Sequence, residues 1–434
     1  MSTTRHIEIE VPVLARVEGE GALDLHIREG RIDQLQLRIF EPPRYFEKFL
    51  EGRPYTELPD AVARICGICP VAYQMTAVQA VEQAFGCMPG PWVRAMRRLM
   101  YCGEWIQSHA LHIHLLAAPD FFGCDSALEL AEREREAVLR GLDLQTLGND
   151  IISLLGARSV HPVGVCAGGF HRAPDRDAVK RLAERVDAAL PQAEALIAWC
   201  AGLDRPEEPQ DFISVALRHE REYAVLDGVI AGDHGMELAA ADFETRFEES
   251  QRAHSTALYC RLDDQPYLVG PLARLNLNHT RLHPRTRDSL WRAGLRLPAD
   301  NLFHSMLARA IEIHEVLLTA AELLSAYEPP ERPCEPVTPR AGVGFGATEA
   351  PRGLLWQRYD FAADGTIQRA RIVPPTSQNQ ARIEADLHQA ITRFGLDQTD
   401  EALRLRAEAV IRNYDPCISC ATHFLRLNVQ RGVS

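Results

Sequence analysis

The pattern of apolar and polar positions changes once along the chain. Residues 6–39 alternate apolar and polar side chains around turns at Gly19–Gly21 and Glu29–Gly30, and this alternation predicts a small β-meander. From Asp60 onward, apolar positions recur about every 3.6 residues, which is the helical period. Helices are predicted over residues 60–86, 91–117, 125–141, 142–156, 174–203, 238–254, 286–294, 299–327, 379–394 and 398–412.

Three further segments depart from the helical pattern. Residues 221–278 are predicted to form short hairpin strands and include Asp227-Gly228, a pair that favours tight turns. Residues 329–344 are rich in proline and predict a crossing connection or a surface loop. Alternation then resumes around Asp364-Gly365, which predicts a hairpin. The predicted fold is therefore α+β and mainly helical, a large helix bundle with a small N-terminal β-meander and short hairpins.

Composition and charge narrow the functional classes. The chain has 434 residues, of which 46% are apolar and 25% charged, and this excludes a disordered or fibrous protein. Its formal net charge of −13 repels phosphate backbones, so no nucleic-acid partner is expected. No apolar run reaches the ~18 residues of a membrane span. Because the N-terminus lacks the apolar region of a signal peptide, we expect a cytoplasmic protein or one exported with a partner.

The cysteines fall into two groups. Four of the 11 form two C-x-x-C pairs, Cys66 with Cys69 and Cys417 with Cys420, a spacing at which two soft thiolates can bind one metal ion. The others are scattered and are expected to be small buried apolar residues. These are Cys87, Cys102, Cys124, Cys166, Cys200, Cys260 and Cys334.

The spacing of the two pairs leaves more than one interpretation open. A structural zinc ribbon closes its pairs within about 15–20 residues, whereas these lie near opposite ends of the chain. Thioredoxin-like chemistry needs one pair in a βαβ unit, but a predicted helix follows Cys69. Spacing alone is equally compatible with a metal site that joins the chain ends and with four unrelated thiols.

A shared metal site would force the terminal regions to pack together, so we expect one interlocked domain over residues 1–434. Its predicted parts are a β-rich N-terminal part, a helical bundle with inserted hairpins, and a C-terminal part that completes the metal site. These parts cover residues 1–59, 60–328 and 345–423.

The residues around the cysteines resemble the two signature motifs of nickel–iron hydrogenase large subunits, R-x-C-G-x-C and D-P-C-x-x-C-x-x-H. Arg64–Cys69 matches the first motif and Asp415–His423 the second. Because the motifs are linked in family order across almost the whole chain, they are far more specific than a single C-x-x-C. Further matching segments are Arg16–Gly19, Arg44–Glu47, Val269–Arg274, Glu349–Gly353 and Pro374–Asn379.

The resemblance implies a nickel–iron centre held by all four cysteines. Soft thiolates suit nickel that changes its oxidation state. By resemblance, Cys66 and Cys417 are terminal nickel ligands. Cys69 and Cys420 then bridge nickel to an iron that carries carbonyl and cyanide ligands.

The same resemblance assigns residues around the iron. Arg352 lies beside it, Thr376 donates to a cyanide, and Pro374 and Pro375 form an apolar wall. Asp415 matches an acid close to the cluster. Without the cysteine motifs, a salt bridge within the helix bundle is the simpler role for Arg352.

Two more functions rest on carboxylates. The resemblance implies that a proton released when H2 is split passes from the Cys417 sulfur to a carboxylate, for which the family position is Glu18. Considered alone, Glu18 is an exposed acid in a β-turn. Glu47, His423 and the backbone carbonyl of Ile372 match the ligands of a buried magnesium ion. Magnesium prefers oxygen ligands, so the histidine depends on the resemblance.

Several positions differ from the family pattern or imitate other sites. Tyr73 and Gln357 replace common histidines, and Ser108 replaces a common aspartate. Gly342–Gly346 is similar to a dinucleotide loop, but no strand–helix unit surrounds it, so we expect it to let the backbone pass close to the metal site. One helical segment carries three histidines that are expected in the core near a subunit interface, namely His109, His112 and His114.

The resemblance implies the catalytic subunit of a hydrogenase that interconverts H2 with protons and electrons. The segments at 269–274 and 374–380 are most similar to the class that passes electrons to NAD(P). The implied partners are an iron–sulfur small subunit, flavin-bearing diaphorase-type subunits, and a maturation protease that removes residues 424–434. Iron–sulfur clusters, flavin and NAD(P) are expected only on the partner subunits.

Three alternatives remain at this stage. One is a deazaflavin-reducing or heterodisulfide-linked member of the same family. Another is a non-catalytic relative, similar to the quinone-chamber subunit of respiratory complex I, although that lineage lacks the four cysteines. The third is a zinc-stabilised binding protein.

Overall fold

The structure, a computed structural model, describes residues 7–422 and begins with the predicted meander. Strands β1 (Ile7–Val11), β2 (Gly21–Arg28) and β3 (Arg31–Ile39) form an antiparallel sheet in chain order. Alternate side chains of β1 are buried against the remainder of the fold, as period-two patterning requires. The turn between β2 and β3 is the predicted Glu29–Gly30, where both residues have positive φ.

The helices account for most of the regular structure. The long ones have wide apolar faces that pack against each other. The helices are α1 (Phe46–Leu50), α2 (Leu58–Val62), α3 (Pro70–Phe85), α4 (Pro91–Leu111), α5 (Ala118–Phe121), α6 (Ala127–Arg133), α7 (Arg135–Gly156), α8 (Arg176–Ala201), α9 (Pro271–Asn278), α10 (Pro284–Arg292), α11 (Ser305–Ser325), α12 (Pro375–Phe394), α13 (Asp400–Asn413) and α14 (Ile418–Ala421).

The centre of the bundle is formed by α4, α7, α8 and α11. Helix α4 packs against α7 and α11, and α11 packs against α8. Where α4 crosses α7, a Cβ atom on Gly103 would lie 2.7 Å from the Gly148 carbonyl oxygen, so only glycine allows this close crossing. After α4, one π-helical turn at His112–Ala117 extends the predicted helix 91–117 to its expected end.

Beyond the meander, the strands are short and antiparallel. They form two-stranded hairpins and three-stranded sheets that flank the bundle. The strands are β4 (Val165–Cys166), β5 (Gly169–Phe170), β6 (Val215–Arg218), β7 (Val229–Gly232), β8 (Met236–Leu238), β9 (Phe247–Gln251), β10 (Leu258–Leu262), β11 (Gly342–Ala350), β12 (Gly353–Phe361) and β13 (Ile367–Val373).

The glycine-rich segment 342–346 begins β11, which lies directly on α3. A Cβ atom would lie 1.9 Å from the Ala80 carbonyl oxygen at Gly344, and 2.1 Å from the Thr76 carbonyl oxygen at Gly346. The glycines therefore bring a strand against the helix that follows the first cysteine pair, and the close approach is to this helix, not to the cysteines. The predicted hairpin at Asp364-Gly365 is present as the turn between β12 and β13.

The helix predicted over residues 238–254 is wrong. The segment instead contains the end of β8, a 3₁₀ turn over 240–245 and strand β9. Its glutamates suggest a helix, but packing of its aromatic side chains stabilises the observed turn and strand. Phe243 stacks on Phe247 with ring centroids 4.3 Å apart and on Trp356 at 4.7 Å, which holds the segment against the C-terminal sheet.

Four other predictions are corrected in detail. The segment 221–278 was predicted to form strands, but its end, Pro271–Asn278, is helix α9. The boundary predicted between residues 141 and 142 lies at Glu134, whose φ and ψ of −123° and 48° are not helical. The first predicted helix is interrupted by the motif at residues 66–69, which forms a turn. Asp227-Gly228 is not a tight turn but the end of a longer connection. A Cβ atom on Gly228 would lie 2.5 Å from the Arg218 carbonyl oxygen.

The apolar core is divided into a large and a small cluster. The large cluster joins the meander, the long helices and the four paired cysteines, and the small one lies around Trp356 beneath the hairpins. The predicted fold class, α+β and mainly helical, is confirmed. None of the helices formed by residues 7–422 has the combined length and apolar character that a membrane crossing requires.

Candidate metal centre

Four cysteine sulfurs from opposite ends of the chain meet in the core. The sulfur of Cys66 is 3.4 Å from that of Cys417, and the sulfur of Cys69 is 3.6 Å from that of Cys420. The Cys417 and Cys420 sulfurs are 2.6 Å apart. All four lie within 4.8 Å of one another, and each residue is at most 3% exposed. This is the arrangement of a tetrathiolate metal site.

The first cysteine pair is held by the start of α3. Cys69 is the N-cap of this helix and Pro70 occupies its first position, where a missing N–H is tolerated. The buried carboxylate of Glu104 on α4 accepts the backbone N–H groups of Val71 at 2.6 Å and Ala72 at 3.0 Å. Glu104 thus satisfies the donors of the helix start. An acid on the apolar face of α4 was the available signal for this role, which was not predicted from the sequence.

The second pair is docked against the N-terminal part of the chain. The backbone N–H of Ile418 donates to the Glu18 carbonyl at 3.0 Å, and the Ser419 N–H donates to the Glu18 carboxylate at 3.1 Å. These bonds place the carboxylate beside the segment that carries Cys417. Gly19, with φ of 91°, makes the approach possible because a Cβ atom would lie 2.6 Å from that of Ile418.

Two other motif residues connect the same segments. The Arg44 guanidinium donates to the carbonyl oxygens of Ile65 at 2.6 Å and of Ser419, so it joins the two cysteine motifs directly. Buried Pro374 and Pro375 begin α12. The hydroxyl of Thr376 in its first turn accepts the Cys417 N–H at 2.9 Å.

The four thiols form one electrostatic unit. Hydrogen bonds from the neighbouring thiols, above all from Cys417, lower the pKa of Cys66 well below its ordinary value. Burial raises the pKa of Cys417 well above its ordinary value, and it also raises that of Cys420. Four thiolates at these separations repel one another strongly, so the full set can lose its protons only when a multivalent cation lies among them.

Arg352 and Asp415 form a buried pair at the edge of the sulfur cluster. The Nε atom of Arg352 donates to the Asp415 carbonyl at 2.8 Å, and Nη2 donates to Oδ1 of its carboxylate at 3.0 Å. Within residues 7–422, Nη1 of Arg352, Oδ2 of Asp415 and the hydroxyl of Tyr73 are buried without a hydrogen-bond partner. Unpaired buried polar atoms are rare, and the two donors among them, Nη1 of Arg352 and the Tyr73 hydroxyl, fit ligands of a bound metal that accept hydrogen bonds, whereas Oδ2 of Asp415 is itself an acceptor.

Tyr73, which replaces a common histidine, faces the sulfurs. Burial raises the pKa of its hydroxyl well above the ordinary value, and the nearby sulfurs of Cys420 and Cys69 raise it further. The hydroxyl therefore keeps its proton and is a donor. Gln357, the second replacement, donates weakly to the Tyr73 carbonyl at 3.4 Å and accepts the Tyr359 hydroxyl at 2.8 Å.

The three histidines of the helical segment are core residues. His109 is 2.9 Å from the Glu312 carboxylate, and His112 is 2.7 Å from the Arg412 carbonyl oxygen. Burial lowers the pKa of His109 to about 4 and that of His112 to about 3, so both are neutral at pH 7. His114 is likewise buried. The hydroxyl of nearby Ser108 is buried and has no partner within residues 7–422.

Only part of the predicted magnesium set can be located. Glu47 lies in α1, and its carboxylate accepts the backbone N–H of Ile372 at 2.8 Å. The carboxylate is therefore close to the backbone whose carbonyl was predicted as a ligand. His423 lies outside the described residues, as does the predicted cleaved extension 424–434.

A buried ion network holds the segment that carries Arg352. The guanidinium of Arg274 donates to Glu312 at 2.7 Å and to Glu349 at 3.0 Å, and all three side chains are fully buried. It also donates to the carbonyl oxygens of Ala350 and Pro351, each at 2.9 Å. Arg274 and Glu349 belong to motifs that match the family, but their pairing was not predicted from the sequence.

Replacement of Arg274 by glutamine is expected to lower the free energy of unfolding by about 3–5 kcal/mol, because two buried carboxylates lose their counter-charge. Thermal and urea unfolding of the purified complex measure this loss. Arg246→Gln is the matched control, because Arg246 pairs with Asp263 at the exposed surface and its loss costs at most about 1 kcal/mol. Equal losses in the two variants would contradict a structural role for the buried network.

The comparisons with known proteins agree with this geometry. A family model described as nickel-dependent hydrogenase matches residues 44–140 and 236–423. The chain is 31% identical to the alpha chain of sulfhydrogenase 1 of Pyrococcus furiosus, over 97% of this chain and 99% of that protein. It is 27% identical to the beta chain of the NAD-reducing hydrogenase HoxS of Cupriavidus necator, over 96% of this chain and 95% of that protein.

Solved structures show the same similarity. The crystal structure of an NAD⁺-reducing NiFe-hydrogenase in the H2-reduced state aligns with a TM-score of 0.86 and 28% identity, over 97% of this chain and 100% of that one. The family model covers more than half of the chain, and its matched segments contain both cysteine pairs. The chain therefore belongs to the nickel-dependent hydrogenase family, as a large subunit whose four clustered cysteines fit a metal site.

Proposed function

We propose that this hydrogenase large subunit catalyses reversible H2 oxidation at a nickel–iron centre and passes the electrons through an iron–sulfur partner to NAD(P). The observation that carries the proposal is the convergence of four buried sulfurs from the two ends of the chain within 4.8 Å. The NAD(P) linkage is supported by the alignment with an NAD⁺-reducing hydrogenase over the full length of that chain.

Each cysteine has a proposed place in the cofactor. Cys66 and Cys417 would hold nickel alone, and Cys69 and Cys420 would hold nickel and iron together. When bound, the centre supplies the Lewis-acidic, redox-active site at which H2 is polarised and from which two electrons leave. Soft thiolates suit such a metal, and burial excludes water from it.

The neighbouring polar groups would hold the small ligands of iron. Arg352 offers Nη1, which has no partner within residues 7–422, and the hydroxyl of Thr376 can donate while it accepts the Cys417 N–H. Pro374 and Pro375 supply an apolar wall and Asp415 orients the Arg352 guanidinium. These donors suit carbonyl and cyanide ligands. Glu47, Ile372 and His423 would hold magnesium.

Glu18 is proposed to receive the proton that leaves the Cys417 sulfur. The backbone bond from Ile418 and the bond from Ser419 orient the Glu18 carboxylate next to this segment. Burial raises the pKa of Glu18, which brings it closer to that of a thiol and eases transfer in both directions. Residues 16–19 are partly exposed, so a proton on Glu18 is close to the protein surface.

The electrons need other subunits. Within residues 7–422, no second cluster of three or more cysteines is present. We propose that the iron–sulfur clusters, flavin and NAD(P) lie on partner subunits. We also propose cytoplasmic location and removal of residues 424–434 by a maturation protease.

Infrared spectroscopy of the purified complex tests the proposed centre. Bands of iron-bound carbonyl and cyanide are expected, together with nickel and iron in metal analysis. Zinc in place of nickel, with no such bands in a processed sample, would favour a zinc-stabilised binding protein. Absence of nickel, zinc and H2-dependent dye reduction would favour a non-catalytic relative.

A second candidate differs only in the electron acceptor. Identity to the sulfhydrogenase 1 alpha chain is 31%, against 27% to the NAD-reducing relative, and a chain of the F420-non-reducing hydrogenase of Methanothermobacter thermautotrophicus is 29% identical. These values favour no single acceptor, and a deazaflavin-reducing or heterodisulfide-linked enzyme is the alternative. H2-dependent reduction of NAD, NADP, a deazaflavin and a heterodisulfide by the complete complex separates them.

Replacement of Tyr73 by phenylalanine tests the hydroxyl that faces the sulfurs. We expect the carbonyl band of iron to move to lower wavenumber, because the Tyr73 hydroxyl near Cys420 and Cys69 withdraws electron density from the sulfurs and phenylalanine does not. Infrared spectroscopy measures the shift independently of turnover. Tyr267→Phe is the control, since it removes a buried hydroxyl bonded to Gln378, and it should leave the band unchanged. An unshifted band in the Tyr73 variant would show that the hydroxyl does not act on the cluster.

A further inference from the structure

Two cysteines outside the metal centre lie side by side at the edge of the fold. The sulfur atoms of Cys166 and Cys334 are 3.4 Å apart although the residues are separated by 168 positions in the sequence. The Cys166 thiol donates to the Cys334 sulfur, and both residues are partly exposed. This differs from the scattered buried cysteines that the sequence predicted, of which Cys200 is an example.

The backbones that carry the two thiols are in direct contact. Cys166 belongs to the hairpin β4–β5, and Cys334 to the proline-rich connection between α11 and β11, here called the strap (residues 329–341). Phe170 N–H donates to the Pro333 carbonyl at 2.9 Å, and Glu335 N–H donates to the Gly168 carbonyl at 3.0 Å. The sulfurs therefore face each other across a paired backbone.

Glycines and a buried ion pair keep this contact close. A Cβ atom on Gly169 would lie 2.2 Å from the Pro333 carbonyl oxygen, so a larger residue would push the strap away. Glu82 accepts the Gly168 N–H at 2.7 Å and is held by two bonds from Arg97. The β4–β5 turn is thus bonded on one side to Glu82 of α3, which Arg97 of α4 holds, and on the other side to the strap.

We propose that Cys166 and Cys334 form a reversible disulfide that joins the strap to the β4–β5 hairpin. A disulfide needs an S–S length of about 2.05 Å, and the two sulfurs lie 3.4 Å apart, so a small approach of the strap and the hairpin is enough to form the bond. The pair lies apart from the four metal-binding cysteines, and the inference is independent of the electron acceptor.

The chemistry requires a two-electron oxidant, for which a hydroperoxide is the proposed class. One thiolate attacks the peroxide oxygen and becomes a sulfenic acid while water leaves. The second thiolate then attacks the sulfenic sulfur, the S–S bond forms, and the hydroxide that leaves takes up the remaining proton to give a second water. In total, two thiols and one H2O2 give one disulfide and two waters. A dithiol reductant reverses the change by thiol–disulfide exchange.

The disulfide would link two segments that are 168 positions apart in the sequence. Because a bond between such distant positions restricts the unfolded chain strongly, the oxidised protein is expected to unfold at a higher temperature than the reduced protein.

Peptide mapping of the intact complex tests the proposal. The complex is treated with H2O2, free thiols are blocked with N-ethylmaleimide, and the protein is digested without reductant. We expect one linked peptide pair containing Cys166 and Cys334, which disappears after dithiothreitol. Finding both residues alkylated, or Cys334 joined to another cysteine, would overturn the proposal.

Two variants sharpen the test. Cys334→Ser should abolish the linked peptide, leave Cys166 open to alkylation and remove the oxidation-dependent rise in the unfolding temperature. Cys87→Ser is the matched control, because Cys87 is a partly exposed thiol whose pKa is raised by burial and also by nearby Cys334. The linked peptide should persist in that variant, and its loss would show that Cys87, not Cys166, is the partner. A parent protein that is equally stable before and after formation of the link would refute the proposed stabilisation.

Discussion

Replacement of Cys417 by serine is expected to abolish H2-dependent dye reduction. Loss of a residue that only supports a metal ligand costs about 10–100-fold, and loss of a ligand should exceed that range. Serine cannot supply the soft sulfur that nickel prefers, and it also removes the proposed first acceptor of the proton. The variant should therefore retain less than about 1% of the parent activity.

The measurement combines activity with metal content. Nickel and iron are determined on the purified complex, and dye reduction is measured under H2. Cys200→Ser is the matched control, since Cys200 is fully buried on α8 and no sulfur of the metal centre is among the groups that influence its pKa. The control should keep nickel and near-normal turnover per complex. Near-normal turnover in the Cys417 variant would remove this sulfur from the proposed mechanism.

The cysteine pairs show how far local sequence motifs can predict a three-dimensional site. Spacing alone left a metal site and unrelated thiols open, and the flanking residues favoured the metal site. The structure explains these flanking residues. Arg44 joins the two cysteine motifs, and Thr376 receives the Cys417 N–H. Residues that hold two distant segments together form recognisable motifs in the sequence. These motifs therefore indicated that the two cysteine pairs belong to one site.

Pairings between buried charges were not predictable in the same way. Arg274 lies in a segment predicted to form strands and Glu312 in a predicted helix, so neither position identifies the other as its partner. Their burial depends on which helices cross, and this is set by packing of side chains far apart in the sequence. The pattern predicts that a helix exists more reliably than it predicts which neighbour will pair with its charged residues.

The wrong helix at 238–254 has a related cause. Its glutamates have a high intrinsic propensity for helix. Stacking of Phe243 on Phe247 and on Trp356 instead stabilises short strands. Trp356 is more than a hundred positions away, so its effect is absent from any local window. Tertiary contacts therefore determine the structure of this segment. The long amphipathic helices such as α4 and α8 could be predicted because the helical period is present in their own sequence.

Replacement of Glu18 by glutamine is expected to lower H2-dependent dye reduction by about 10²–10⁴-fold, the range attributed to a positioned general acid or base. The amide is similar in size to the carboxylate and keeps an oxygen that can accept the Ser419 N–H. It cannot take up a proton at neutral pH. The expected loss is therefore in proton transfer, and the docking of the second cysteine pair should be preserved.

The distinction between proton transfer and assembly depends on a second readout. Metal content and the infrared bands of the Glu18 variant should equal those of the parent, whereas a variant that had lost assembly would lack both. Glu20→Gln is the matched control, because the Glu20 side chain is exposed two positions away and should leave turnover unchanged. If the Glu18 variant retains more than about a tenth of the parent activity, a loss smaller than a general base supplies, the proton leaves by another route. The backbone bonds between Glu18 and residues 418–419 would then have a purely structural purpose, which is to close the N-terminal part of the chain over the cysteines.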